Sequence, residues 1–340
     1  MAPLADTGLP PVSPHLAKVI ESCDELPLLD LGDFIAGKPG AVEQLAADIR
    51  AIHQNLGFMA VVNHGIDQAI IDKAAEQVKQ AFNMPEEELE KCRKQDHMQG
   101  YWGANSVRII RPGYENNPTH NSSVAGWTVL RDRTADDPKV VNNVRHRAMN
   151  RWPSKEVLPE FRLAVKAYEA AMLDLGMKLI KAYSLALGQP IDYLDKDFEG
   201  SEWYNRLNYF RGSNNQASTM GLTAHSDHSF ITLLPISPTP GLEVRNPRDE
   251  WLQVAYQPGV IIVNGGEWLN QISNGHFMAT PHRVAEPTEE RVSMPFFFNP
   301  NDEAMNDPVP GSVAEGEERT YPAKNFYEHF IGFIDAYTKA

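Results

Sequence analysis

His225-Ser226-Asp227-His228-Ser229-Phe230-Ile231-Thr232-Leu233-Leu234 decides how this chain is read. Two side chains able to bind a metal, His225 and Asp227, stand two residues apart. On an extended segment such residues point to the same side. The apolar run from Phe230 to Leu234 follows at once and reads as a strand. His-x-Asp alone is a weak signal: with 11 histidines in the chain, about one such tripeptide is expected by chance. His225 taken alone is more readily a hydrogen-bonded structural histidine than a ligand.

The neighbouring sequence changes those odds. Val260-Ile261-Ile262-Val263 reads as a second strand, and Ser273-Asn274-Gly275 as a turn. Met278 to Val284 reads as a strand carrying His282. Arg291 to Phe298 reads as a single buried strand. Several short strands parted by Gly, Pro and Asn turns point to an antiparallel sandwich or barrel. Such a core can bring ligands distant in sequence together. His282 adds a second imidazole. Two imidazoles and one carboxylate form the set that holds a non-haem Fe(II) on one face and leaves the opposite positions open. Arg291-Val292-Ser293 puts a guanidinium and a hydroxyl on one side of a strand. The planar fork of Arg can bind a carboxylate through two parallel hydrogen bonds. The bland alternative for Arg291 is a buried ion pair with an Asp or Glu.

Further out, residues 1–25 read as a mobile, Pro-containing lead. Leu26 to Leu31 is a short strand, Ala41 to Leu56 has helical spacing, and Gly57 to Val62 returns to strand character. Gln68 to Phe82 is amphipathic, and Asn83-Met84-Pro85-Glu86-Glu87-Glu88 is a helix start. Residues 97–151 are rich in Gly, Asn, Pro and Arg, with little periodicity. Leu158 to Leu187 reads as a long helix ended by Gly188. Asp302 to Thr320 reads as loop. Phe326 to Tyr337 places Phe326, Phe330, Phe333, Ile334 and Tyr337 on one helical face.

Composition narrows the function. The chain has 340 residues, 42% of them hydrophobic, and a net charge of −14. A basic face for nucleic acid is not expected. No apolar run approaches the ~18 residues that span a bilayer. Met1 to Pro14 lacks the basic start and apolar core of a secretory signal. The two cysteines, Cys23 and Cys92, form no framework, which suits a reducing compartment. A cytoplasmic protein is the expectation, with oligomeric state left open.

Three blocks carry a resemblance. They are Asn264-Gly265-Gly266-Glu267-Trp268-Leu269-Asn270-Gln271-Ile272-Ser273-Asn274-Gly275, then Thr280-Pro281-His282-Arg283-Val284, then Arg291-Val292-Ser293-Met294-Pro295-Phe296-Phe297-Phe298. The chain resembles the 2-oxoglutarate/Fe(II)-dependent dioxygenases of the isopenicillin N synthase-like type. Leu26 to Leu31, Gly57 to Ile66, and Asn150-Arg151-Trp152-Pro153 before the long helix resemble that family's N-terminal region. The resemblance implies a mainly β protein with flanking helices around a double-stranded β-helix, or jelly roll. It divides the chain into a lead (1–25), an N-terminal dioxygenase region (26–150), a bracing helix (151–200), the Fe(II)/2-oxoglutarate core (201–303) and a C-terminal loop and helix (304–340). The C-terminal helix is expected to cover the mouth of the barrel.

The same resemblance implies roles. His225, Asp227 and His282 would hold Fe(II). Arg291 and Ser293 would hold the distal carboxylate of 2-oxoglutarate, with Asn208 and Tyr209 assisting. O2 is the second co-substrate, and ascorbate a candidate reductant. Oxidative decarboxylation to succinate and CO2 would accompany hydroxylation, desaturation or ring closure of a small molecule, as in secondary metabolism. In this family the same Arg-x-Ser can instead hold a substrate carboxylate.

Two departures stand out. Phe210 occupies a position where the family often has a second tyrosine, and Glu267 one where it usually has Asp. Phe230 and Trp268 are candidate pocket residues, although packing in the core is the more ordinary reading of each. The stretch from Arg93 to Arg151 carries ten cations against five acids. Arg108 and Arg111 are therefore candidates to meet an anionic substrate group, against the blander reading of a solvated face. The alternatives are an iron oxidase of the same fold that does not use 2-oxoglutarate, a non-catalytic small-molecule binding protein, and a zinc hydrolase, for which no general base is evident.

Overall fold

A computed structural model describes residues 4, 8–104, 123–212 and 220–338. Thirteen strands are found among them: β1 (Leu28–Asp30), β2 (Phe58–Val62), β3 (Gly100–Trp102), β4 (Ala125–Leu130), β5 (Tyr204–Phe210), β6 (Leu222–His225), β7 (Ile231–Pro235), β8 (Leu242–Arg245), β9 (Trp251–Gln253), β10 (Ile261–Gly265), β11 (His282–Val284), β12 (Arg291–Ser293) and β13 (Phe296–Phe298). Nine form one sheet in the order β1-β2-β10-β7-β13-β5-β4-β3, with β12 also on β5. The other four run β6-β11-β8-β9. All pairings are antiparallel except β1 with β2. Two facing sheets with helices outside make a double-stranded β-helix, as the resemblance implies.

Burial explains which strands alternate and which do not. The larger sheet is covered by helices on its outer side, so β5 and β10 are buried along almost their whole length and read as continuous apolar runs. Ala41–Asn55 buries Leu45, Ile49 and Ile52, the one-stripe spacing of a surface helix. Phe161–Ala186 buries a broad face, from Phe161 through Tyr168, Met172 and Leu179 to Ala186, against the sheet and two other helices, and leaves Leu163 and Met177 on its exposed side. It ends at Leu187, before Gly188 at φ +84°, a left-handed stop that glycine adopts at no steric cost. Gly176 lets this helix close on the sheet: a Cβ there would sit 3.0 Å from the Phe298 ring.

Four expectations need correcting. The aperiodic 97–151 stretch contributes β3 and β4 to the main sheet. Its irregular pattern reflects Trp102 lying across Gly126, where a Cβ would come within 2.1 Å of the ring. The run Arg291 to Phe298 is not one strand: Met294 and Pro295 interrupt it, and proline cannot donate to a ladder. Both pieces nevertheless pair with β5 in one register. The expected lead contains a helix, Pro14–Ser22, with Leu16 buried. Ser13 tethers it, donating from N and Oγ to the Asp48 carboxylate at 2.8 and 2.7 Å. The C-terminal helix, Phe326–Thr338, packs through Phe326 and Phe330 on Trp268 and Tyr204, and its described side chains line no wall of the central cavity. Among the described residues no helix is long and apolar enough to cross a membrane.

Candidate active site

The cavity lies between the two sheets, and its first corner is built where the chain crosses from one to the other. His225 ends β6 and faces His282 of β11 in the ladder; their ring centroids are 4.3 Å apart. The loop after β6 turns Asp227 between them. Asp227 Oδ1 lies 3.8 Å from His225 Nε2 and 3.6 Å from His282 Nε2.

Hydrogen bonds set the protonation of this corner. His225 Nδ1 is 2.8 Å from the Thr223 carbonyl, and His282 Nδ1 3.2 Å from the Thr280 carbonyl. A carbonyl only accepts, so each Nδ1 carries the proton and each Nε2 presents a lone pair. Asp227 Oδ2 accepts from Thr232 Oγ1 at 2.6 Å and from Asn264 Nδ2 at 2.8 Å. Thr232 and Asn264 are opposite one another on β7 and β10, so one cross-strand pair grips one oxygen and leaves Oδ1 turned to the imidazoles. Burial alone would raise the Asp227 carboxyl. Positive charge on His282 and His225, when either is protonated, and the Asn264 and Thr232 hydrogen bonds outweigh it and hold the group below the usual carboxylate range. Two lone pairs and one carboxylate oxygen therefore converge within 4.8 Å, a donor set that suits a divalent cation.

The loop itself is clamped from behind. Gly266 N donates to Phe230 O at 3.1 Å, Glu267 N to Asp227 O at 2.7 Å and Trp268 N to Ser229 O at 3.2 Å. A Cβ on Gly266 would stand 2.1 Å from Ser229 O, so the close approach requires glycine. Glu267 serves here through its backbone, in keeping with a structural reading. Phe58, from β2, adds an edge contact to His282 at 5.2 Å, which ties the N-terminal region to this corner.

The second corner is Arg291 on β12. It is 3% exposed, lies 5.2 Å over the Phe210 ring and donates from Nε to Thr239 O at 3.2 Å. Its Nη1 is buried without a hydrogen-bond partner, and among the described residues Arg291 forms no ion pair. The bland expectation of a buried Arg–carboxylate pair is thus not met. Burial lowers the guanidinium to about 10. Ser293 lies opposite Asn208 in the β12–β5 ladder, and both line the cavity. Among the described residues, Asp227 is the one carboxylate in the cavity wall. A buried cation without a partner suits a carboxylate brought by a ligand.

Other expected residues fall elsewhere. Tyr209 points away from the cavity: its hydroxyl donates to Glu290 Oε1 at 2.5 Å and its ring stacks on Phe82 at 5.0 Å. Alternation on β5 is the reason, since Asn208 and Phe210 occupy the inward face. Phe230 is buried against Tyr183 and Phe198, and Trp268 against Phe326 and His329. Both sit behind the loop that carries Asp227, and neither lines the cavity. Arg108 and Arg111 lie outside the described residues. Thr232, Asn264, Phe58 and Arg206 line the cavity without having been singled out. Asn264 heads a motif block and was within reach of sequence reading. A lone Thr inside an apolar run gave little signal.

Comparison with known proteins agrees with this geometry. The pattern described as non-haem dioxygenase in morphine synthesis, N-terminal, matches residues 26–155, and that of the 2OG-Fe(II) oxygenase superfamily matches residues 203–300. A 2-oxoglutarate-Fe(II) type oxidoreductase of Aspergillus fumigatus is 28% identical over 314 residues, covering 89% of this chain and 90% of the relative. Protein DMR6-LIKE OXYGENASE 1 of Arabidopsis thaliana is 27% identical over 322 residues, covering 93% and 86%. The crystal structure of Neurospora crassa T7H with alpha-KG superposes with a TM-score of 0.79 at 21% identity, covering 91% of this chain and 96% of that one. JOX2 in complex with 2OG, Fe and JA gives 0.73 at 24% identity, covering 97% and 87%. At these identities the two structures speak for the fold alone. The two matched patterns, in chain order around one His-Asp-His corner, make this chain a member of the 2-oxoglutarate/Fe(II)-dependent dioxygenases of the isopenicillin N synthase-like superfamily, oxidoreductases that use Fe(II), 2-oxoglutarate and O2 on small molecules.

Proposed function

We propose that His225, Asp227 and His282 hold the Fe(II), that Arg291 with Ser293 and Asn208 holds the distal carboxylate of 2-oxoglutarate, and that a small anionic substrate is oxidised beside them. The observation that carries this reading is the buried, anion-free guanidinium of Arg291 in the same cavity as the three converging metal-binding atoms. Bound Fe(II) supplies the redox chemistry that couples decarboxylation of 2-oxoglutarate, with release of succinate and CO2, to removal of a hydrogen atom from substrate. Hydroxylation, desaturation and ring closure all begin from that removal.

The chain's own residues bind and orient. Thr223 and Thr280 keep both histidines in the tautomer that offers Nε2. Thr232 and Asn264 fix the Asp227 carboxylate. Phe210 offers no hydroxyl to the co-substrate and instead supports the Arg291 guanidinium from one side, while Nη1 is left for the ligand. Anionic substrate character is supported by Arg206, a second cation in the cavity wall. A reducing, cytoplasmic setting is supported by the two free, buried cysteines; activity that depended on a disulfide would contradict it.

The test is product formation. Protein reconstituted with Fe(II), 2-oxoglutarate, ascorbate and O2 should form succinate, and Asp227→Ala should not. Equal succinate from both proteins would overturn the assignment.

A further inference from the structure

Arg206 is the second guanidinium lining the cavity. It shares the inward face of β5 with Asn208 and Phe210. Phe210 is the residue opposite Arg291, and Arg206 lies four residues before it. At a rise of ~3.3 Å per residue that is about 13 Å of strand. The two arginines thus enter the cavity from points about 13 Å apart along the sheet.

The setting of Arg206 is built rather than incidental. Its guanidinium lies 4.9 Å over the Trp102 ring. Trp102 is 2% exposed, and its Nε1 donates to Thr128 Oγ1 at 3.2 Å. Thr128 is the residue opposite Arg206 in the β4–β5 ladder. Gly126 leaves the space that the indole fills. So the sheet pins the indole, and the indole pins the guanidinium. Beside this platform lies an apolar cluster in which Phe210, Leu222 and Val284 also line the cavity.

Charge around Arg206 is one-sided. Among the described residues no carboxylate pairs with it. Lys94, half-buried and likewise without an ion pair among them, is held below the usual lysine range by burial and then by the nearby Arg206 and Arg93. Arg93 has its own partner in Glu90.

We propose that Arg206, braced on Trp102, is the specificity-determining anchor for a carboxylate on the substrate, whose apolar part lies against Phe210, Leu222 and Val284. The proposal rests on the iron and 2-oxoglutarate reading above. A guanidinium prefers a carboxylate to a neutral amide through charge-assisted, two-point hydrogen bonding.

The test measures succinate formation from saturating 2-oxoglutarate. Wild type, Arg206→Gln and Arg206→Lys are each given a panel of aliphatic and aromatic monocarboxylic acids, every acid beside its primary amide. The wild type should respond to at least one acid with kcat/KM roughly tenfold or more above that of its amide. Arg206→Gln should raise the KM for that acid by about tenfold or more and bring the acid-to-amide ratio close to one. Arg206→Lys, which keeps the charge and loses the planar fork, should retain part of the preference and serves as the control for folding. Amides as effective as acids, an unchanged ratio in Arg206→Gln, or no response to any acid would overturn it. The two readings fail separately: wild type without an anaerobic 2-oxoglutarate absorption band fails the iron and co-substrate reading, whereas a band without acid preference fails only this one.

Discussion

The two corners of the cavity handle buried charge in opposite ways. Asp227 is supplied by the protein on every side: Thr232 and Asn264 hold Oδ2, and two imidazoles face Oδ1. Arg291 is as deeply buried, yet its Nη1 meets no acceptor, and one backbone carbonyl and an aromatic face are its support. On the proposed reading, the difference teaches that the metal corner is pre-organised by the fold, while the arginine corner would be completed by a carboxylate of the ligand. A buried ion without a partner costs stability unless something pairs with it, so keeping such a group is a mark of binding.

That contrast can be broken at several points. The largest effect belongs to Asp227→Ala, which removes the charged donor. Fe(II) affinity and succinate formation should fall by more than the roughly 10–100-fold expected when an outer partner of a metal ligand is lost; retention of both in a metal titration would sink the assignment. Thr232→Val should come next, lowering Fe(II) affinity about 10–100-fold by freeing Oδ2, with the fold intact by circular dichroism. An unchanged affinity would mean that Asn264 alone orients the carboxylate.

Arg291→Met separates the corners by sign. Without 2-oxoglutarate it should leave thermal stability unchanged or raise it by about 1–4 kcal/mol, because an unpaired buried cation is replaced by an apolar chain. A large loss of stability would show that Arg291 has a structural partner. The smallest effect is expected from Tyr209→Phe. Its hydroxyl meets Glu290 on the far side of β5, so 2-oxoglutarate affinity should stay constant while stability falls by no more than about 1 kcal/mol.

Legibility in the sequence followed the same division. The metal corner could be read because its residues sit at fixed short spacings, His225 two before Asp227, with strands marked by apolar runs on either side. Arg291 and Ser293 were legible because alternation on a strand puts them together. The alternation rule applied to β5 puts Phe210, not Tyr209, on the face of Asn208, so the expectation for Tyr209 ran against that rule. Arg206 was hidden because β5 is buried along both faces, so no polar–apolar rhythm marks its inward side. β3 and β4 were hidden because Trp102 and Gly126 fit each other across strands, a pairing that leaves no periodic trace. Phe230 and Trp268 stand near the ligands in sequence, but the loop that carries Asp227 turns its back to them.

The measurement that bears most directly on this account is an anaerobic visible-absorption titration of the Fe(II)-loaded protein with 2-oxoglutarate, wild type beside Arg291→Gln. The weak charge-transfer band should saturate in both, with the half-saturating concentration raised about 10–100-fold in the variant. The same half-saturation in both proteins would contradict the claim that Arg291 is the partner of the co-substrate carboxylate.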